Sequence, residues 1–294
     1  MNFITTLFSP ITTIWNWLIF IPVFNILLFV QQFTHNMGWS IILMSFGLRL
    51  ALSGVIGKTL KIQKLQIELA PELAKLKEQH KDNKQQLMLA QAELYKKNGF
   101  NPSAGCLPTI IMFAVMFSLT KSIDYIYPNA ARPVTLEKIN QSIIVPNLKL
   151  QESGKFEKTF FYVDVTKPDT VPVKFSGMTI PLPGVFILLS TVLQFMSMKM
   201  SAPLLSEEKK IAAKTPGKSD DDMASAMAAS TNIMPLMNII IGYQFPSIIM
   251  IYFIPFTLVQ VIQQYYVTGW GGLTPWLQKA NFLKAALPRS LRKP

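Results

Sequence analysis

Charge is what this chain of 294 residues has little of. Only 15% of its residues are Asp, Glu, Lys or Arg, where a soluble domain averages about 25%. The deficit is concentrated, because neither Met1 to Leu48 nor Met223 to Gln278 contains a charged residue. Uncharged stretches of that length exclude an ordinary soluble enzyme, and they argue against a nucleic-acid module despite a pI near 9.7. The one cysteine, Cys106, excludes an intramolecular disulfide, and two histidines, His35 and His80, are too few for a histidine-built metal site. Paired carboxylates inside an apolar stretch, an intramembrane histidine and a short phosphate-binding glycine loop are missing as well. No catalytic constellation, cofactor or metal is expected.

What is present is hydrophobic, 50% of the chain, with a mean hydropathy of +0.31. Crossing a hydrocarbon layer of about 30 Å takes about 20 apolar residues. Stretches near that length occupy residues 38–57, 102–124 and 183–201. The block from Met223 to Val267 has 45 residues and as one helix would run about 68 Å, so it must fold back. Gly242, Tyr243, Gln244, Phe245 and Pro246 supply the breakers, giving spans over 223–243 and 244–267. The expectation is an all-α integral membrane protein with a five-helix transmembrane core.

Orientation follows from the basic residues of the loops. Lys58 to Asn98 carries nine Lys against five acidic residues, and the tail from Lys279 carries five basic residues and no acidic one. Both are expected in the cytoplasm, which with five spans puts the N-terminus and the loop over 125–182 outside. The cytoplasmic loop over 202–222 is nearly neutral and the basic tail covers 268–294. Within residues 1–37, Ile11 to Phe33 is long enough to span. Yet Asn25, Gln32, His35 and Asn36 share about a third of the helical circle at 100° per residue. That stripe, with Trp15, Trp17 and Trp39, favours an amphipathic helix lying in the outer interface; a sixth span is the alternative.

Residues 58–101 change to a charged amphipathic pattern. Pro71 fits the first turn of a new helix, and Asp82 with Gln85 reads as a capping box. Leu87, Ala90 and Leu94 mark a return helix that Asn98 and Gly99 close as a left-handed cap. The result is a cytoplasmic helical hairpin with a thin apolar stripe, either a solvated connector or a mobile element that docks a partner.

Arg49 is the sharpest feature, twelfth in a 20-residue span. Arginine near a helix centre costs about 2.5–3.5 kcal/mol on insertion scales. No carboxylate falls inside a span and Asp124 belongs at the far end of its own. Arg49 therefore faces a wet cavity or bonds carbonyls in a packed bundle. Ser45 and Ser53 share its face, and Gln194, Asn232, Asn238, Gln260, Gln263 and Gln264 could line such a cavity; singly each is more often a packing hydrogen bond. The tail residues Lys279, Lys284, Arg289, Arg292 and Lys293 suit a polyanion, either ribosomal RNA or anionic lipid.

The sequence resembles a known family, the YidC/Oxa/Alb membrane protein insertases. The pieces are Pro22-Val23-Phe24-Asn25-Ile26-Leu27-Leu28, Arg49, Leu69-Ala70-Pro71-Glu72-Leu73, and Leu94-Tyr95-Lys96-Lys97-Asn98-Gly99-Phe100-Asn101-Pro102. They continue with Gly105-Cys106-Leu107-Pro108, Val163-Asp164-Val165-Thr166-Lys167-Pro168, Gln194 with Lys199-Met200, Met234-Pro235-Leu236 and Gln263-Gln264. Met112 and Ala114 depart from the usual Gln and Pro, and the aromatic pair reads Tyr252-Phe253. The resemblance implies a non-enzymatic insertase and chaperone in the cell membrane, with a hydrophilic groove open to cytosol and lipid that contains the arginine. It implies nascent membrane proteins as substrates, work alone or beside the Sec translocon, and no nucleotide or metal. Ribosomes and anionic lipids are the further expected partners, and the chain is expected to act as a monomer. The rival class is a small anion transporter or channel using the intramembrane arginine, against which stands the lack of an internal repeat.

Overall fold

The computed structural model describes residues 12–80, 83–101, 107–129, 132–152, 156–175, 177–201, 233 and 235–279. They are mostly helical: α1 Thr12–Thr34, α2 Met37–Ala51, α3 Ser53–Gln79, α4 Lys84–Lys97, α5 Leu107–Ile126, α6 Leu136–Gln141, α7 Val185–Ser201, α8 over 235–244, α9 Ile248–Thr268 and α10 Thr274–Lys279. Among the described residues α1 and α9 are long and apolar enough to cross a membrane. The number becomes three if α2 and the bent continuation Ile56–Leu69 form one span, and α7 is a shorter apolar helix. Two compact units divide the chain. The first comprises Met1–Ala51, Thr109–Ser190 and Ile239–Phe256; the second comprises Leu52–Pro108, Thr191–Asn238 and Thr257–Pro294.

The first unit is organised by apolar packing. Phe20, Phe24 and Leu27 of α1, Ile41 and Met44 of α2, Leu119 and Ile126 of α5 and Ile248 to Phe253 of α9 belong to one buried cluster. Phe20 and Phe24 stack at 5.5 Å, and Tyr125 meets both edge-on. Helix α1 ends at His35 in the left-handed conformation, φ 54°, and α2 begins two residues later. Gly38 lets the chain around Phe160 pack directly on α2, because any side chain there would run into the Phe160 ring.

The polar stripe of α1 is engaged by the segment after α6. Asn25 Nδ2 donates to Ser142 O at 2.9 Å, and its Oδ1 accepts from Ile144 N at 2.8 Å. Gln32 donates to Asn147 O at 3.1 Å, and Asn36 to Thr159 O at 3.0 Å.

The loop that follows carries two antiparallel ribbons, β1 Thr159–Phe160 with β2 Val163–Asp164 and β3 Thr170–Phe175 with β4 Met178–Pro183. Both pairs are absent from the all-α expectation. Pro172 lies directly opposite Pro181, and Thr170 opposite Pro183. Prolines have no N–H to donate, so these rungs are the non-hydrogen-bonded ones and the missing donors fall on the outer edges. Between and beyond the ribbons the loop caps two helices. Lys167 O accepts from Ser247 N at 2.7 Å, and Asp164 O accepts from Ser247 Oγ at 3.0 Å, at the start of α9. Asp169, 1% exposed, accepts from Phe186 N at 2.9 Å and Ile187 N at 3.0 Å, two of the orphan donors of the first turn of α7. It also accepts from the Tyr162 hydroxyl at 2.8 Å. Burial and this carboxylate push the Tyr162 phenol up to about 12. Gly184 leaves room for the cap, since a side chain there would collide with the Asp169 carboxylate.

In the second unit α3 and α4 form the hairpin, and three local expectations change. The helix expected over 38–57 breaks at Leu52, φ −85° and ψ 0°, next to Ser53 and Gly54, a residue pair that favours kinks. Pro71 lies inside α3 rather than opening a helix; it is exposed, and losing one N–H on a solvated face leaves its carbonyl partner to water. The cap of α4 is Asn83, whose Oδ1 accepts from Gln86 N at 3.1 Å, one register beyond the expected Asp82 and Gln85 box. Asp82 itself lies outside the described residues. The far end matches expectation, with Gly99 at φ 62°. Apolar burial is sparse on both arms, with Leu69 and Leu87 the buried leucines past the first turns of α3. A cleft of about 670 Å³ separates the arms, lined by Glu72, Lys75, Leu76, Glu93, Leu94 and Lys97 among others.

Candidate functional site

Arg49 sits in the last turn of α2, and among the described residues it is the largest side chain with no exposed surface. Its guanidinium carbon lies 4.6 Å from the centre of the Phe256 ring. Tyr252, one turn earlier on α9, is equally buried and contacts Phe256 at 5.5 Å between ring centres. A desolvated cation over an aromatic face gains about 2 kcal/mol or more, which offsets most of the insertion cost of an arginine at a helix centre. Both partners belong to the first unit. Ser45, one turn before Arg49, is buried and donates to Ile41 O at 2.6 Å, so its proton is held by its own helix. Asp124 is committed elsewhere, accepting from Arg132 at 2.8 Å and 3.1 Å.

The other expected polar residues belong to the second unit, except Asn232, which lies outside the described residues. Ser53 is exposed at the start of α3, and Gln194 and Gln263 are half-buried. Asn238 is buried and donates to Thr191 Oγ1 at 3.0 Å. Gln260 donates to Ser197 Oγ at 2.9 Å, and Ser197 donates to Gln264 Oε1 at 2.9 Å. Gln264 in turn donates to Ser201 Oγ at 2.6 Å and to Gln63 Oε1 at 3.4 Å. This ladder of amides and hydroxyls joins α7, α9 and α3. Sequence reasoning found Gln260 and Gln264 but missed Ser197, Ser201, Gln63 and Thr191. The spacing of four between Ser197 and Ser201, matching that between Gln260 and Gln264, was the available signal. Of the basic tail, Lys279 closes α10, and Lys284, Arg289, Arg292 and Lys293 lie outside the described residues.

Residues 29–271, from late α1 to the turn after α9, match the family described as 60Kd inner membrane protein. The chain belongs to that family. The match contains Arg49, the hairpin, the capping loop and the Ser–Gln ladder. Relatives of the family chain are each named Membrane protein insertase YidC. That of Roseobacter denitrificans is 37% identical over 111 residues, 37% of this chain and 18% of its own length. That of Helicobacter pylori is 41% identical over 98 residues, 33% of this chain and 18% of its own. The relative from Methylobacterium radiotolerans is 25% identical over 288 residues, 94% of this chain and 41% of its own length. The chain thus spans well under half the length of these relatives. The 60Kd family assignment agrees with the resemblance carried by the motifs, and it places the protein among helical inner membrane proteins.

Proposed function

We propose that this chain is a membrane protein insertase that works without nucleotide. The observation that carries the reading is the family match over residues 29–271 to proteins whose named relatives are insertases. The buried charge supplies the mechanism. The hydrophilic tail of an inserting protein, most favourably an acidic one, is drawn toward Arg49 while its apolar segment moves into lipid. Transfer of that segment to hydrocarbon, worth roughly 25 cal/mol per Å², drives the step. The hydroxyls of Ser45 and Ser53 and the side-chain amides of Gln194, Asn232, Asn238, Gln260 and Gln263 are the groups available to offset the tail's loss of water.

The proposed topology has five spans, an outside N-terminus and a cytoplasmic hairpin and C-terminus, with α1 flat on the outer face. Asn25, Gln32 and Asn36 support the flat placement. Asn25 and Gln32 lie about 10 Å apart along the helix, Asn36 follows just past its end, and all three bond to residues 142–159. A helix perpendicular to the membrane would meet an outer loop near one end only. Single cysteines at Asn2, Ser153 and Arg292, in a Cys106→Ser background, should react with an impermeant outside reagent at the first two positions only.

Function is tested by reconstitution into liposomes with a small acidic-tailed membrane protein as substrate and a photoreactive residue at Ser45. Insertion into a protease-protected form without nucleotide, with crosslinks from position 45 to the substrate, is the expected result. Anion flux without substrate protein, and no crosslink, would instead make the chain a transporter.

A further inference from the structure

A second cationic site lies in the first unit, far along the chain from Arg49. Lys121, on α5, is five residues from the end of that helix. Its Nζ donates to Asn16 Oδ1 at 2.6 Å and stands 4.0 Å from the centre of the Phe20 ring, with Tyr125 at 5.4 Å. The ammonium is therefore fixed from below by an aromatic face and from one side by an amide. It opens into a cavity of about 230 Å³ lined also by Trp17, Lys138 and Gln141, several times the roughly 30 Å³ share of one water. Lys138, exposed on α6, is close enough for the two like charges to act on each other. No Asp or Glu is among the lining residues. Two lysines that face one cavity without a carboxylate between them are stabilised by an anion that both can reach.

The surroundings say what kind of anion. Trp17 is 67% exposed beside the opening, the placement of an aromatic ring at the level of lipid headgroups. Gln141, whose amide also donates to Glu137 Oε1 at 3.3 Å, lies at the rim with a second N–H to offer, and the floor is apolar. We propose that this cavity binds a phosphate group, charge-paired with Lys121 and Lys138 and flanked by Asn16 and Gln141. The source is the headgroup of an anionic phospholipid or free phosphate. The site does not depend on insertase activity: a lipid bound here would fix α1 against α5 and α6 whatever the protein inserts.

Native mass spectrometry of the detergent-solubilised full chain tests it, with three probes: phosphatidylglycerol, phosphatidylcholine of the same acyl chains, and inorganic phosphate. Each lysine near an anionic headgroup contributes about fivefold in affinity. The expected result is retention of phosphatidylglycerol over phosphatidylcholine, weakened about fivefold by Lys138→Gln and at least as much by Lys121→Gln. Lys174→Gln, on the β3–β4 ribbon, should change nothing. Lys138 is exposed on a short helix, so its variant should keep the parent unfolding temperature even if Lys121→Gln does not. Lysine-sensitive binding of inorganic phosphate without phosphatidylglycerol would support the site and assign it to the free ion. Retention of phosphatidylglycerol and phosphate unchanged in Lys138→Gln and Lys121→Gln would overturn it.

Discussion

The first unit and the second are held by different forces. In the first, aromatic and aliphatic side chains of α1, α2, α5 and α9 fill one continuous core, and even the polar stripe of α1 is consumed by a loop. In the second, among the described residues, the separate buried cluster of Met200, Val261 and Leu273 is small, and α3, α7 and α9 are joined by serine and glutamine side chains. Neutral hydrogen bonds contribute about 0.5–1.5 kcal/mol each, and interhelical ones in membranes average about 0.6. Buried large side chains contribute several times that. The comparison teaches where rigidity resides: apolar packing holds the first unit in one arrangement, whereas the second is joined by polar pairs that can break one at a time.

The largest expected difference is in amide exchange. The hairpin over 71–97 buries little and should exchange about a thousandfold faster than the buried turns of α1 and α2, a gap of roughly 4 kcal/mol in opening free energy. Equal protection in both regions, measured by hydrogen–deuterium exchange in detergent, would break the comparison. Next comes side-chain truncation. Phe24→Ala, at a site with no exposure, should cost about 3–5 kcal/mol, whereas Leu94→Ala in α4, half-buried on the wall of the hairpin cleft, should cost about 1 kcal/mol because it has little packing to lose. Denaturant unfolding with a helix-specific probe in each unit reads both.

Asp169→Ala should fall between those values. It strands the Tyr162 hydroxyl and two N–H groups of α7, about 1–3 kcal/mol for groups left unsatisfied; Asp169→Asn, which keeps one acceptor, should recover part of the loss in unfolding temperature.

The smallest effect is a pH dependence confined to the loop. Burial acts to raise the Asp164 carboxyl, but hydrogen bonds from Thr166, at 2.6 Å from Oγ1 and 3.0 Å from N, with Lys158 at 3.5 Å, outweigh it and leave the group below its usual value. A lowered native value means the stabilisation is complete above the unfolded value of about 3.9 and is lost as the pH falls through the native one. Exchange protection of residues 159–166 should therefore drop below about pH 4, and in Asp164→Asn that step should vanish. An unchanged step in the variant would assign it to another group.

Much of the fold could be read from residues alone because lipid imposes a coarse rule: uncharged stretches and breakers locate helices. The turn at Gly242 to Pro246, the left-handed Gly99 and the start of α7 all follow from local chemistry. Where two neighbours could serve equally, as Asp82 and Asn83 as caps, only the three-dimensional path of the chain decides. Proline misled at Pro71, because it is tolerated where its missing donor faces outward, as Pro172, Pro181 and Pro183 are in the β3–β4 ribbon. The candidate site was legible as a charge and a set of amides, but not as contacts. Nothing near Arg49 in sequence announces Phe256, and the role of Asp169 as a helix cap spans 17 residues of intervening ribbon.

The central claim is that the charge of Arg49 receives the tail of an inserting protein. The direct measurement is insertion in proteoliposomes by the parent chain and by Arg49→Lys, Arg49→Ala and Arg49→Glu, using matched substrates with acidic and uncharged tails. The account predicts that lysine keeps most activity, that alanine loses the acidic-tailed substrate by about tenfold while sparing the uncharged one, and that glutamate loses the acidic-tailed substrate more severely, for a change of charge at a site close to a developing contact. Equal insertion of both substrates by Arg49→Ala, in protein that remains folded, would contradict it and leave Arg49 as a packing residue over Phe256.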